Sequence, residues 1–181
     1  MVTIIKVREN LELRTLIPDN AAEVFEVCDK NREYLRKWLP WIDGTKSPES
    51  VRETIEKWQK SLDEKKELVC GVFLDGKYVG NMGMHDINRF DVRDAEIGYW
   101  IDADYQGRGI ITDCVRAFTD YAFNEIDLNR IYICCAVEND KSRAVPERLG
   151  FVFEGKMQDG VNLHGVYHDK LMFGMLKRNW K

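Results

Sequence analysis

The sequence predicts an α+β fold, a mixed α/β arrangement built on a largely antiparallel sheet. Three observations carry this. Helical periodicity dominates the first third of the chain. A switch to strand periodicity follows, with Asp75-Gly76 joining two apolar runs as a two-residue hairpin turn. The remainder alternates strand, helix, strand, helix, strand, strand.

In chain order, residues 2–8 and 11–16 read as extended. Pro18-Asp19 opens a helix to about residue 30 with Ala21, Val24, Phe25 and Cys28 on one face. A short helix over 31–39 ends at Trp38-Leu39-Pro40-Trp41. Ser47-Pro48-Glu49-Ser50 starts a helix to about 63 whose inner face is Val51, Ile55, Trp58 and Leu62. Leu68–Leu74, Lys77–Met84 and Ala95–Ile101 read as strands. Ile110–Asn124 is a helix, with Ile111, Cys114, Val115, Phe118, Tyr121 and Ala122 facing the core. Ile131–Val137 is a strand, and a helix over 141–149 is stopped by Gly150, suited to a left-handed cap. Phe151–Lys156 and Tyr167–Leu176 read as paired strands around a turn-rich stretch containing Gly160, Asn162 and Gly165.

The 181 residues suit one domain spanning 1–181, long enough to build a core without staples. With 44% hydrophobic and 32% charged residues, the composition is globular, and no apolar run is long enough to cross a bilayer. The charged start of the chain is not a signal peptide. The formal net charge of -4 argues against direct binding of nucleic acid through its phosphates. Five cysteines without a C-x-x-C fit a reducing, cytoplasmic setting, and the three histidines lack metal-ligand spacing, so no metal is expected.

The chemistry is concentrated in Tyr99-Trp-Ile-Asp-Ala-Asp-Tyr-Gln-Gly-Arg-Gly-Ile-Ile-Thr112. This segment leaves a strand and enters a helix. Gly107 and Gly109 let a ligand approach the backbone, and the first N–H groups of the helix lack internal partners, an arrangement suited to pyrophosphate. A Walker loop would need Lys and Ser or Thr after Gly109, where Ile110 and Ile111 stand. A dinucleotide fingerprint would need Gly or Ala at Thr112. Neither fits, and two glycines alone could also serve only to shape the turn.

Gln106-Gly-Arg-Gly109 resembles the Q-x-x-G signature of the GNAT acetyltransferases, whose loop grips the pyrophosphate of coenzyme A. The position two past Gly109, often Gly or Ala in that signature, is Ile111, and the RimJ/RimL-type branch varies there. Other landmarks of the branch follow in order: Leu13-Arg14, Trp38-Leu-Pro-Trp41, Glu96-Ile-Gly-Tyr-Trp100, Asn139-Asp-Lys-Ser142, and Leu149-Gly-Phe151 with Glu154-Gly155. The chain thus resembles ribosomal-protein N-acetyltransferases along nearly its whole length.

That resemblance implies a twisted sheet with a parallel V holding acetyl-CoA between Ala95–Ile101 and Ile131–Val137. It implies pantetheine contacts along Tyr99, Trp100, Ile101, Asp102 and Ala103. Phosphate contacts are implied from Gln106, Gly107, Arg108, Gly109, Ile110, Ile111 and Thr112, with Asn139 and Ser142 near the thioester. The implied acceptor is a protein N-terminus. A small amine, or a non-catalytic acyl-CoA sensor with the same cleft, are the alternatives.

Acetyl transfer needs a neutral amine and a proton for the leaving thiolate. Glu96 is the candidate base; its structural alternative is a solvated carboxylate or an ion pair with Arg93. Ser142 is the candidate donor to the thiolate, with a helix cap as its alternative. A later carboxylate has been proposed as base in RimL-like enzymes, and only Asp159 stands in the matching region. Trp38 and Trp41 suit either an acceptor groove or packing, whereas Trp100 suits the core. Cys134 and Cys135 point to opposite faces of one strand. The apolar run within Tyr167–Leu176, left as an edge, would need covering; burial inside the monomer's own sheet would suffice, while the resemblance and the apolar residues near Trp38-Leu-Pro-Trp41 suggest a homo-oligomer, most simply a two-fold dimer.

Overall fold

The computed structural model describes residues 2–88 and 91–181. Eight strands form one sheet in the order β1-β2-β3-β4-β5-β6-β8-β7. They are β1 (Ile4–Arg8), β2 (Leu11–Thr15), β3 (Leu68–Leu74), β4 (Lys77–His85), β5 (Asp94–Ile101), β6 (Arg130–Ala136), β7 (Val152–Leu163) and β8 (Val166–Leu176). The helices are α1 (Ala21–Lys30), α2 (Arg32–Arg36), α3 (Pro48–Asp63), α4 (Ile110–Asn124) and α5 (Asp140–Arg148). Every neighbouring pair is antiparallel except β5 with β6.

Local chemistry accounts for the element boundaries. Asp75 and Gly76 both adopt positive φ, 50° and 76°, the geometry of a type I′ hairpin, and set Leu74 opposite Lys77. At the start of α3, Ser47 Oγ accepts from Ser50 N–H while Ser50 Oγ accepts from Ser47 N–H, and Pro48 supplies the first helical residue. Gly150 ends α5 at φ 76°. Its N–H reaches Glu147 O and that of Phe151 reaches Pro146 O, a Schellman closure.

Strand alternation divides β5 between two cores. Ala95, Ile97 and Ile101 belong to the cluster that includes Ile110, Cys114, Val115 and Phe118 of α4. Trp100 belongs to the other, with Val24 and Cys28 of α1, Leu35 of α2, Val51 and Ile55 of α3, and Phe73 and Tyr78. Each such buried side chain contributes roughly 1.5–3 kcal/mol, so helices clamp both faces of the strand that leads into the glycine loop. Trp100 is 7% exposed and meets Tyr78 edge-on, as expected of a core residue.

One expectation needs correction and one open alternative is decided. The turn-rich stretch is not a loop: β7 runs to Leu163, with a register shift between Met157 and Val161. Gly160 is needed inside that strand, because a methyl there would stand 2.8 Å from the Lys170 Cβ across the pair. Nor is Tyr167–Leu176 an edge. β8 lies between β6 and β7, and the outer strand is β7, where Val152, Phe153 and Met157 are exposed.

Candidate functional site

The parallel pairing of β5 with β6 is short: Asp94, Ala95 and Glu96 register with Arg130, Ile131 and Tyr132. Beyond Glu96 the strands part, each kept in the sheet by its other neighbour, β4 or β8. The gap is the floor of a cleft of about 1200 Å³ lined from β5, the 102–109 loop, α4, β6, α5, α2 and β7.

The main chain of β5 on this side is left open. Asp102 N–H donates to Val79 O, so by antiparallel alternation Trp100, Gly98 and Glu96 also bond towards β4. Tyr99 and Ile101 therefore direct their main-chain groups to the gap. The Ala103 N–H is taken by Asn31 Oδ1 at 2.9 Å. Among the predicted pantetheine contacts, Tyr99, Trp100, Ile101 and Ala103 line the cleft, while Asp102 is buried behind it.

At the other end, Gly107 and Gly109 adopt φ 72° and 75°, and a methyl on either would meet open space. Gly109 precedes α4 without a side-chain cap, and its carbonyl accepts from Asp113 N–H. The N–H groups from Gly107 through Thr112 have no protein acceptor among the described residues. Nearby cations are held by neutral groups: Arg108 by Asp104 O, Lys141 by Gln106 Oε1 and Arg148 by Thr112 Oγ1. Their charge remains available to an anion.

The loop is anchored from α1. Lys30 Nζ bonds Asp102 at 2.8 Å and Asp104 at 2.6 Å, and Asn31 bridges Val27 O to Ala103 N–H. Burial pushes the Asp102 carboxyl up, but the Lys30 ammonium, the Asp104 N–H and the Asn31 side chain outweigh it and hold it below its ordinary value.

Between these ends lie the candidate reacting groups. Asn139, not Ser142, caps α5: its Oδ1 accepts from Ser142 N–H at 3.2 Å. Ser142 Oγ stands 3.4 Å from the Tyr99 hydroxyl, which itself donates to Ser142 O at 2.9 Å. Burial raises the Tyr99 hydroxyl well above its ordinary value, leaving it a donor. This hydroxyl pair spans 43 residues of sequence and escaped sequence reasoning, which carried no signal for it.

Glu96 lines the cleft and is not paired with Arg93, whose guanidinium goes to Asp127. The neighbour of Glu96 is the Cys134 thiol, pushed up to about 12 by burial and then by the carboxylate, so it stays protonated. Asp159 lies at the register shift of β7, its N–H on Asp169, and does not line the cleft. The cleft is also lined by Trp38 and Leu39 after α2, by Val161 and Leu163 of β7 and by Lys170 of β8. The hairpin tip is fastened there by His164 Nε2 on Arg36 O at 2.6 Å. Trp41, 47% exposed, packs 6.3 Å from Trp100 outside the cleft lining.

A cleft opened by parted parallel strands, with unpartnered N–H groups at a helix start at one end, is the arrangement expected of an acyl-CoA-dependent transferase. The sequence profile of the Acetyltransferase (GNAT) domain matches residues 10–152, and the chain belongs to that family of N-acetyltransferases, which use acetyl-CoA. Among individual proteins it is 41% identical over 177 residues to YdaF of Bacillus subtilis (strain 168), provisionally named a ribosomal N-acetyltransferase, covering 97% of this chain and 96% of that protein. It is 28% identical to the ribosomal-protein-serine acetyltransferase of Escherichia coli (strain K12), covering 97% and 98% of the two chains. The solved structure of RimL, a ribosomal L7/L12 α-N-protein acetyltransferase in complex with coenzyme A through a cysteine disulfide, superposes with a TM-score of 0.92 at 28% identity, covering 96% and 98%.

Lys30→Met leaves Asp102 buried without its cation and should destabilise the fold by about 1–2 kcal/mol at neutral pH. The Asp102 value is depressed, so the pair's contribution is present above the unfolded aspartate pKa of about 3.9 and is lost as pH falls through the lower folded value. Thermal unfolding of the two proteins should therefore converge below about pH 4; a gap constant with pH would show that the pair is not its source.

Proposed function

We propose that this enzyme acetylates the N-terminal α-amino group of a protein, with ribosomal proteins as the acceptor class, by direct attack of the neutral amine on the thioester. The observation that carries this reading is Glu96 in a cleft that is also lined by Trp38, Leu39, Val161 and Leu163. A polyamine carries several cations. Of the two acidic residues lining the cleft, Asp113 is held by Arg8, which leaves Glu96. One carboxylate beside apolar side chains suits a single amine on a peptide, and similarity to the ribosomal-protein enzymes points the same way.

In this reading the pyrophosphate lies on the N–H groups from Gly107 to Thr112, with Gln106 holding Lys141 in place. The pantetheine arm takes the open main chain of Tyr99 and Ile101, and the thioester lies near Asn139 and Ser142. A protein α-amino group has a pKa of about 7.7–8.0, so roughly a tenth is neutral near pH 7, and a modest base suffices. Glu96 removes the proton from the remainder. The Tyr99–Ser142 hydroxyl pair supplies the proton to the departing thiolate. The protonated Cys134 thiol is a poor nucleophile, which favours direct transfer over an acetyl-cysteine intermediate. The enzyme works in the cytoplasm, where ribosomal proteins and acetyl-CoA meet.

Gly109→Ala places a methyl in the space assigned to phosphate, at a backbone cost of only about 1–2 kcal/mol. Calorimetry should show acetyl-CoA affinity at least tenfold weaker in a folded protein; unchanged affinity would remove the phosphate assignment. With ribosomal-protein N-terminal peptides as acceptors, Glu96→Gln should lower kcat by about 10²-fold or more near pH 7, the loss shrinking as pH rises. Ser142→Ala should lower kcat without that rescue. A Glu96→Gln profile parallel to wild type would remove Glu96 from the proton path.

We also place a two-fold dimer contact on the β7 edge, supported by the exposed Val152, Phe153 and Met157. Sedimentation at micromolar concentration should give twice the 21.2 kDa chain mass, and Phe153→Glu should return the monomer. A single 21.2 kDa wild-type species at every concentration would defeat the dimer.

A further inference from the structure

On the face of the sheet that carries Glu96 stands a second proton-handling pair. Glu67 immediately precedes β3 and His85 ends β4, brought together by the pairing of Leu68 with Met84. Glu67 Oε1 lies 2.9 Å from His85 Nδ1. A carboxylate only accepts, so the proton of the neutral imidazole sits on Nδ1 and the lone pair on Nε2. The ring rests on two cross-strand glycines, Gly83 of β4 and Gly98 of β5. A methyl on Gly83 would stand 2.4 Å from Nε2, and one on Gly98 3.8 Å from it. Side chains at these positions would displace or crowd the ring. Gly98 lines the cleft, and Glu96 is the direct cross-strand partner of His85. The His85 side chain is 40% exposed, so the ring also meets solvent.

We propose that the Glu67–His85 pair is the proton outlet of the transfer reaction, taking from Glu96 the proton that Glu96 takes from the acceptor amine. This rests on the reading of Glu96 given above. The ammonium gives one proton to the Glu96 carboxylate, which passes it to His85 Nε2. The imidazolium, stabilised by the Glu67 carboxylate, releases it to water. The neutral nitrogen forms the C–N bond, the C–S bond breaks with its electron pair going to sulfur, and the second nitrogen proton replaces the one the hydroxyl pair gives the thiolate. One proton leaves per acetyl group transferred, matching the stoichiometry of an ammonium acetylated to an amide.

His85 acts through Glu96 and is thus a positioning and relay residue. The charged and titratable groups around it include Glu67 just before β3, Asp86 next in the chain, and Glu96 of β5, whose own neighbours are Tyr132 and Cys134 of β6, with Lys170 of β8 beside Cys134. Lys66 and Glu64, after α3, pair with each other.

The test combines pH–rate profiles on a peptide acceptor with NMR titration of the His85 ring, using the full chain and its His85→Gln, Glu67→Gln and Glu96→Gln variants. His85→Gln should lower kcat about tenfold near pH 7, less than loss of a direct base, and abolish the imidazole limb of the profile while KM for acetyl-CoA holds. Glu67→Gln keeps an acceptor for Nδ1–H but removes the charge, so the ring should titrate at lower pH and the kinetic limb should move with it. A purely packing role would lower thermal stability and leave the limb in place, which overturns the relay. If wild type turned over no amine, the transfer reading would fall by itself. The pair is read separately by NMR, and a ring titration unmoved by both Glu67→Gln and Glu96→Gln overturns it.

Discussion

The site depends on the parting of β5 and β6 just after Glu96 and Tyr132. A sheet tolerates such a gap only if each strand keeps a partner on its other side, and here β4 and β8 provide that. The exposed main-chain groups of Tyr99 and Ile101 then need hydrogen-bond partners that the protein does not supply. An extended ligand carrying amides satisfies them as a missing strand would. The N-termini of α4 and α5 both open onto the gap, so donors are also concentrated where phosphate and thioester chemistry require them.

The opening is kept in shape by anchors outside it. Lys30 and Asn31 fix the loop leading to Gly107, Trp100 secures β5 against α1, α2 and α3, and His164 secures the β7–β8 tip. The glycine loop and the β7–β8 tip are thus tied to the same two N-terminal helices, through Lys30 and Asn31 at the end of α1 and Arg36 in α2. A shift of α1 and α2 would move both together.

Features governed by short-range chemistry were legible in the sequence. The Asp75-Gly76 turn, the bounds of α4 and the Gly150 cap each follow from residues within a few positions of one another. The Gln106–Thr112 loop was legible through its resemblance to the Q-x-x-G signature, since two glycines alone could equally have shaped a turn. What escaped depends on pairings that no local pattern encodes. Gly160 and Asn162 carry turn chemistry, yet Gly160 sits within a strand because Lys170 comes close from β8. The apolar run of β8 reads equally as an edge or an interior strand until its partners are known. Arg93 lies three residues from Glu96, but the fold brings Asp127 nearer to it. The Tyr99–Ser142 contact was invisible for the same reason.

These long-range pairings also set the surroundings of Glu96, the base proposed above, which nothing adjacent in sequence marks. Its strand neighbours Ile97 and Ala95 face the opposite core, and the cation nearest in sequence is committed to Asp127. Its surroundings are then the Cys134 thiol and Tyr132 phenol of β6 and the cross-strand His85 of β4, with Lys170 of β8 next to the thiol. A carboxylate locked to a guanidinium is a poor base, since the ion pair must break before it can accept a proton. A carboxylate among neutral groups that can themselves exchange protons accepts one without losing an ion pair. Arg108, Lys141 and Arg148 stand at the α4 end of the cleft, and the cation on the Glu96 side is Lys170 of β8, which acts on the same Cys134 thiol.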